Sequence, residues 1–378
     1  MLIRNVMRVF LLLPLIATTL AAAQTSAPVQ TPSSPVAPTT PAVWQLQDSG
    51  SAASLRGIHA VSNEVAWASG SEGTILRTLD GGQHWQRCTT PDAAKDGATL
   101  DFRGIQAFDA TTAIAMSSGP GNKSRLYKTT DGCKSWTLST QADSKDSFWD
   151  AVAFQQKDFG FAIGSKDTAV LIGDPVKGRF ETEVMLLGHG WFLDDAGCAA
   201  PADQAAFAAS NSSVFIFGSR RYLIGAGGRS GASVFISPLL LTGVGTDPCR
   251  KVPVPMAGGN ESSGIFSLYF SDLKRGVAVG GDYTKPQESA GTAAYSLDGG
   301  QHWTAATKPP HGYRSTVQWS EDPKAWITAG TNGSDLSRDD GRTWQPLDNG
   351  DWNALSLPFL VGPKGRIARL NPTAVPAN

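Results

Sequence analysis

Short runs in which small and large apolar residues alternate recur along this chain: Val65-Ala-Trp67-Ala-Ser-Gly70, Ala113-Ile-Ala-Met116, Gly160-Phe-Ala-Ile-Gly164, Tyr222-Leu-Ile-Gly225, Gly276-Val-Ala-Val-Gly280 and Ala325-Trp-Ile-Thr-Ala-Gly330. Runs of this length, closed by Gly and flanked by polar turns, predict strands buried on both faces. Upstream of most lies a second apolar opener: Leu55-Arg-Gly-Ile58, Phe102-Arg-Gly-Ile105, Trp149-Asp-Ala-Val152, Phe207-Ala-Ala, Ile265-Phe-Ser-Leu268, Tyr313-Arg-Ser-Thr316 and, before the last stretch, Trp352-Asn-Ala-Leu355.

Downstream, a polar turn of the form Ser/Thr-x-Asp-x-x-x-x-Trp occurs in four copies: Thr78 to Trp85 around Asp80, Thr129 to Trp136 around Asp131, Ser296 to Trp303 around Asp298, and Ser337 to Trp344 around Asp339. The Asp carboxylate can bond amides of its own turn, Gly supplies a positive φ, and the Trp opens the next strand, so these are predicted hairpin tips. Spaced around the rim of a repeat fold, they lie too far apart to act as the paired carboxylates of a glycosidase, which stand about 5 to 10 Å apart.

Opener, buried strand and tip together make seven units. The intervals from Leu55 to Phe102, Ile265 to Tyr313 and Tyr313 to Trp352 are close to the length of a four-stranded blade, about 40 to 50 residues. The expected fold is all-β, a seven-bladed β-propeller of four-stranded antiparallel blades spanning residues 43–371. The last unit has room for three strands only, so its fourth is expected from Val43-Trp44-Gln-Leu46, which would close the ring and remove two open edges. The third and fourth units depart from the pattern, with insertions around Gly188 to Asp203 and Leu241 to Pro255.

Residues 1–23 have the form of a secretory signal, with Arg4 and Arg8, an apolar stretch from Val9 to Leu20 and Ala21-Ala22-Ala23 before Gln24. No Cys follows, so a lipoprotein is not expected, and Pro14 and Thr18-Thr19 interrupt the stretch below the ~20 residues of a membrane span. Residues 24–42, rich in Pro, Ser and Thr, predict a disordered tether. The expected destination is therefore periplasmic or secreted. Four cysteines suit disulfides in such a compartment. Three pairings are possible; Cys198 with Cys249 would pin the inserted loops, leaving Cys88 with Cys133 across the first two units.

With 32 basic against 33 acidic residues and no Lys/Arg run, nothing favours nucleic acid. His84 and His302 fill one slot of the repeated turn, and His59, His189 and His311 lack metal-ligand spacing, so no metal or cofactor is expected. Gly225-Ala-Gly227-Gly-Arg-Ser230 imitates a dinucleotide fingerprint without its third Gly or its helix. Arginine at a repeated position is the remaining signal. Arg56, Arg103 and Arg314 stand second in their openers, with Trp149, Phe266 and Asn353 in equivalent slots, and are expected to ring the mouth of the central channel. Guanidiniums among aromatics suit an anion or acidic peptide; alternatively each pairs with a neighbouring blade, Asp101 and Asp150 being candidate partners.

The tip motif resembles the Asp-box, or bacterial neuraminidase repeat, of sialidase-like propellers. The longer pattern of Trp44 to Gly50, Leu55 to Ile58, Ala66 to Gly70 and Thr78 to Trp85 resembles the photosystem II stability and assembly factors of cyanobacteria and plastids, most strongly over the first two units and again over the last three. That resemblance implies an exported seven-bladed propeller without known catalysis that binds a nascent membrane subunit through an arginine-bearing face. Arg56 and Arg103 fall in matching motifs and Arg314 in a weaker one, while Trp149 and Phe266 interrupt the ring. Sialidases differ by an Arg-Ile-Pro segment that is absent here. The expectation is a non-enzymatic, monomeric binding protein for a membrane protein or its exported segment. The alternative is a divergent glycosidase or carbohydrate-binding propeller using Trp149, Trp191, Asp194 and Asp195.

Overall fold

The computed structural model describes residues 42–142, 144–155, 159–164, 168–171, 173–174, 179–180, 185–187, 203–217, 221–237 and 248–376. The expected signal sequence, all but the end of the tether, Cys198, and Trp191, Asp194 and Asp195 lie outside the described residues.

Each buried apolar run is a strand of an antiparallel sheet, and all but one follow a strand that their opener begins. The first sheet runs Leu55–Ala60, Ala66–Gly70, Ile75–Thr78 and Gln86–Arg87; the next, Phe102–Ala107, Ala113–Ser117, Arg125–Thr129 and Thr137–Gln141. Trp149–Gln155, Phe159–Gly164, Thr168–Leu171 and Met185–Leu187 form another, as do Thr316–Ser320, Ala325–Gly330, Gly333–Ser337 and Gln345–Asp348. Between them, a nine-stranded sheet joins Arg221–Gly228 and its partners to Ser263–Phe270, Gly276–Asp282, Ala293–Ser296 and Thr304–Ala305 through a single bridge, Gly227 to Gly264. Two glycines meet there because a Cβ on Gly264 would stand 2.2 Å from the Gly227 Cα. One expected opener is corrected: Phe207-Ala-Ala lies outside any strand, and Arg221–Gly228 pairs there with two segments on either side of it, Gln204–Ala205 and Val214–Phe217.

The closing sheet takes its outer strand from the other end of the chain. Trp44–Gln47 pairs antiparallel with Ile367–Leu370, Trp44 opposite Leu370, beside Phe359–Val361 and Ala354–Ser356. Successive sheets then pack face to face through apolar seams. Trp67 and Ile75 meet Phe102, Ile105 and Tyr127; Val277 and Val279 meet Val317, Trp326 and Trp344; Leu55 and Ile58 meet Phe359, Val361 and Ile367, which brings the last sheet back onto the first. This is the architecture of a β-propeller: strands buried on both faces, hence the continuous apolar runs rather than strict alternation.

The four tips share one geometry. The Ser/Thr hydroxyl donates to the Asp Oδ1 at 2.8–2.9 Å and accepts the amide four residues on, that of Gly82, Cys133, Gly300 or Gly341. The same Oδ1 accepts the amide of His84, Ser135, His302 or Thr343 at 2.9–3.1 Å, while Oδ2 takes that residue's side chain at 2.6 Å. These bonds favour the ionised form, holding Asp80 and Asp131 down at about 2. Two successive left-handed residues turn each chain; Cys133 (φ 63°) stands where the other tips have Gly82, Gly300 and Gly341. Trp303 and Trp344 tuck back to donate to their own Gly carbonyls, and Trp85 and Trp136 pack edge-on against Phe359 and Trp67.

Cys133 is bonded to Cys88. The bridge ties the second tip to the end of the first sheet, beside the crossover 89–100. That crossover is anchored by Arg125, which pairs with Asp96 at 2.8 Å, and by the Tyr127 hydroxyl donating to Asp92 at 2.7 Å.

Candidate functional site

In four sheets the first strand slips register against the second, between Leu55 and Gly57, Phe102 and Gly104, Trp149 and Ala151, and Ile265 and Ser267. The residues in the gaps are Arg56, Arg103, Asp150 and Phe266. A bulge re-aims the side chain it carries, and all four line one cavity of about 460 Å³. Ser315 and Asn353 complete the ring, with Ala206, Phe207, Ala208 and Ala209 from the segment before Val214, Phe148, and Tyr283, Tyr313 and Thr331 from neighbouring loops.

The wall has a charged side and an aromatic side. Asp101 stands between the arginines: Arg103 Nε donates to its Oδ2 at 2.8 Å, and Arg56 Nε lies 3.4 Å from its Oδ1. Arg103 also donates to the Ala208 carbonyl at 3.1 Å and lies over the Phe148 ring at 5.8 Å. Arg56 makes the ion pair alone: among the described residues no acceptor takes a hydrogen bond from its guanidinium. Burial pulls Arg56 below its usual value, Asp101 offsets part of this, and the Arg103 charge lowers it again; a guanidinium stays cationic throughout.

Opposite, Phe207 stacks on Phe266 with centroids 3.9 Å apart and 14° between planes, and Tyr313 meets Phe266 edge-on at 4.8 Å. Phe266 is buried at 2% exposure, so Phe207 and Phe148 present the open aromatic surface, with Tyr283 at the mouth. Burial raises the Tyr313 hydroxyl well above its usual value, which keeps it a donor.

Two expectations are corrected. Arg314 is not in the ring: it is fully buried, ion-paired with Asp335, with its Nη1 2.6 Å from the Tyr313 carbonyl and its Nη2 2.9 Å from His311 Nδ1. The cause is a one-residue register difference. Gly330 closes against Tyr313 O and Arg314 Cα as Gly70 closes against Ser54 O and Leu55 Cα, so Arg314 takes the place of Leu55 and Ser315 that of Arg56. Trp149 likewise holds the inward Leu55 place at 3% exposure, and Asp150 faces the cavity instead. The alternative sugar platform thereby loses Trp149, and its remaining residues lie outside the described ones. Sequence reading missed Phe148, Tyr283 and Tyr313 as cavity residues: Phe148 and Tyr283 lie outside the repeated openers, and Tyr313 heads an opener whose second residue was the one expected at the cavity.

No protein-family model matches this chain, and no curated protein matches it. Among solved structures it is similar to "YCF48 from Cyanidioschyzon merolae", with TM-score 0.60 and 15% identity over 88% of this chain and 100% of that one. It is also similar to "YCF48 bound to D1 peptide", with TM-score 0.55 and 16% identity over 88% of this chain and 99% of that one. At these identities the likeness establishes the fold, and this chain is a β-propeller similar in architecture to those structures.

Proposed function

We propose that this protein is an exported, non-enzymatic, seven-bladed propeller of the Asp-box kind that holds a segment of a membrane protein in its axial cavity, as an assembly or stability factor. The count of seven is supported by dividing the nine-stranded sheet at its single bridge, with an apolar cluster between neighbouring sheets. The observation that carries the functional reading is Arg56: a cation in a concave site whose one ion pair among the described residues is to an Asp101 shared with Arg103, leaving guanidinium donors for an anionic group. That a YCF48 structure contains a D1 peptide supports the idea that this architecture accepts a peptide segment. Export rests on residues 1–23, and the monomeric state is part of the same proposal.

The test is photocrosslinking and pull-down from native envelope with the mature protein beside Arg56→Gln. One membrane protein captured by the wild type and lost from the variant is the expected result. Equal capture by both would remove Arg56 from the site. Absence of any specific protein, together with activity in a glycan-hydrolysis screen, would replace this reading with the carbohydrate one.

A further inference from the structure

The cavity's two walls ask for two different groups from one ligand. Arg56 offers guanidinium donors that no described residue takes up, whereas Arg103 is already engaged by Asp101, the Ala208 carbonyl and the Phe148 ring. An anion entering the cavity therefore gains most from Arg56, because a charge-assisted bond to an unpaired donor displaces no existing contact. Opposite, Phe207 is held rigid by stacking on the buried Phe266, so its ring is fixed before any ligand arrives. Ala208 beside it is small. A fixed aromatic face next to open volume is favourable for a second ring, since offset or edge-to-face pairs add to the gain from burial. The cavity, about 460 Å³, lies at the small end of ligand pockets, ~300–1,000 Å³, which suits two or three residues rather than a folded surface.

We propose that the axial cavity selects a partner segment in which an aromatic side chain lies next to a carboxylate, the carboxylate bound by Arg56 and the ring packed against Phe207. This rests on the peptide-binding reading above and adds its specificity. The carboxylate can come from an Asp or Glu side chain or from a chain terminus, and the two sources present the same chemistry to Arg56. Arg103 is a positioning residue, holding Asp101 and Phe148 in place.

The experiment measures fluorescence-polarisation binding of the mature protein to labelled peptides with blocked ends, acetyl-Gly-Gly-Trp-Asp-Gly-amide and its versions with Ala for Trp or Asn for Asp, and to acetyl-Gly-Gly-Trp with a free C-terminus. Each replacement is expected to weaken binding by about tenfold or more, the loss of one charge-assisted bond or one buried ring contact. The free-terminus peptide reports whether a chain end serves as well as a side chain. Arg56→Gln should abolish the preference for Asp over Asn and keep that for Trp over Ala. Phe207→Leu, which keeps apolar volume and removes the ring, should do the reverse, and its circular dichroism and melting curve verify that it folds. Equal binding of the Trp and Ala peptides, a Trp preference that survives Phe207→Leu, or no binding of any peptide overturns the inference. If the envelope pull-down still yields one client lost in Arg56→Gln, the peptide-binding reading stands while this specificity falls; failure of both experiments removes both.

Discussion

At the scale of single residues, three arginines that look alike in the sequence have three different roles. Arg56 faces the cavity with donors to spare, Arg103 is tied into the wall, and Arg314 is sealed in a network with Asp335, His311 and Asn332. Their energetic weights follow from burial. Removing one partner of a buried ion pair strands the other charge, so Arg314→Met should cost about 3–5 kcal/mol of stability. Arg56→Gln, at a partly solvated pair, should change stability by no more than about 1 kcal/mol. Urea unfolding of the two variants separates them; equal losses would mean that Arg56 is structural too.

His59 adds a pH dependence at the same scale. Burial holds its folded value at about 4, below its ordinary 6.5, and Nδ1 has no hydrogen-bond partner among the described residues. Between those values the unfolded chain binds a proton that the folded chain refuses, so stability falls as pH drops from about 6.5 towards 4, by up to ~3 kcal/mol. The tip aspartates act in a lower window, since their depressed values contribute stability that is lost only as pH falls from the ordinary 3.8 towards about 2. Chemical denaturation of His59→Gln should therefore lose the slope above pH 4 and keep the acid limb below it. Identical slopes in wild type and variant would show that His59 is solvated.

At the scale of elements, the tip hairpins are local structures that a few side chains specify, and the second tip carries an anomaly that the disulfide explains. Cys133 adopts a left-handed conformation that the other three tips give to Gly at the same position, at a cost of roughly 1–2 kcal/mol, and the bridge to Cys88 holds it there. Closing a loop of sequence separation 45 restricts the unfolded chain by an amount worth about 4 kcal/mol in the entropy model. Cys88→Ser with Cys133→Ser should lose most of that in thermal or urea unfolding. Cys88→Ser with Cys133→Gly should recover about 1 kcal/mol of it, because Gly takes the left-handed turn without strain. No difference between the two double variants would mean that the turn relaxes once the bridge is gone.

At the scale of the whole molecule, the ring is as stable as its closure. Trp44 is buried at 6% exposure, stacks at a tilt on Trp352 and donates to Ser334 at 2.9 Å, so one side chain from the start of the chain locks the last two sheets together. Trp44→Ala should cost about 3–5 kcal/mol and increase amide exchange in Ala354–Ser356, Phe359–Val361 and Ile367–Leu370 before other sheets. Uniform exchange across the molecule would instead mean that the propeller opens as one cooperative unit.

Much of this was legible in the chain. Strand identity came from apolar runs flanked by turn residues, tip geometry from Asp, Gly and Trp at fixed offsets, and closure from a last unit one strand short; each depends on contacts within or next to its own segment. The cavity was legible only in part. Arg56 and Arg103 were visible because their openers share one pattern, but Tyr313-Arg-Ser-Thr316 fits that pattern in either of two registers one residue apart. Which register holds depends on where Gly330 packs against the backbone of Tyr313 and Arg314, a tertiary contact that local pattern does not encode, and the same one-residue step separates Trp149 from Asp150. The aromatic wall was invisible for a related reason: Phe148, Phe207, Tyr283 and Tyr313 are far apart in sequence and come together only when the sheets form a ring. Sequence determined the strands and turns because their causes are local, and the tertiary structure decided which side chains face the axis because a single residue of register turns a side chain from the core to the cavity.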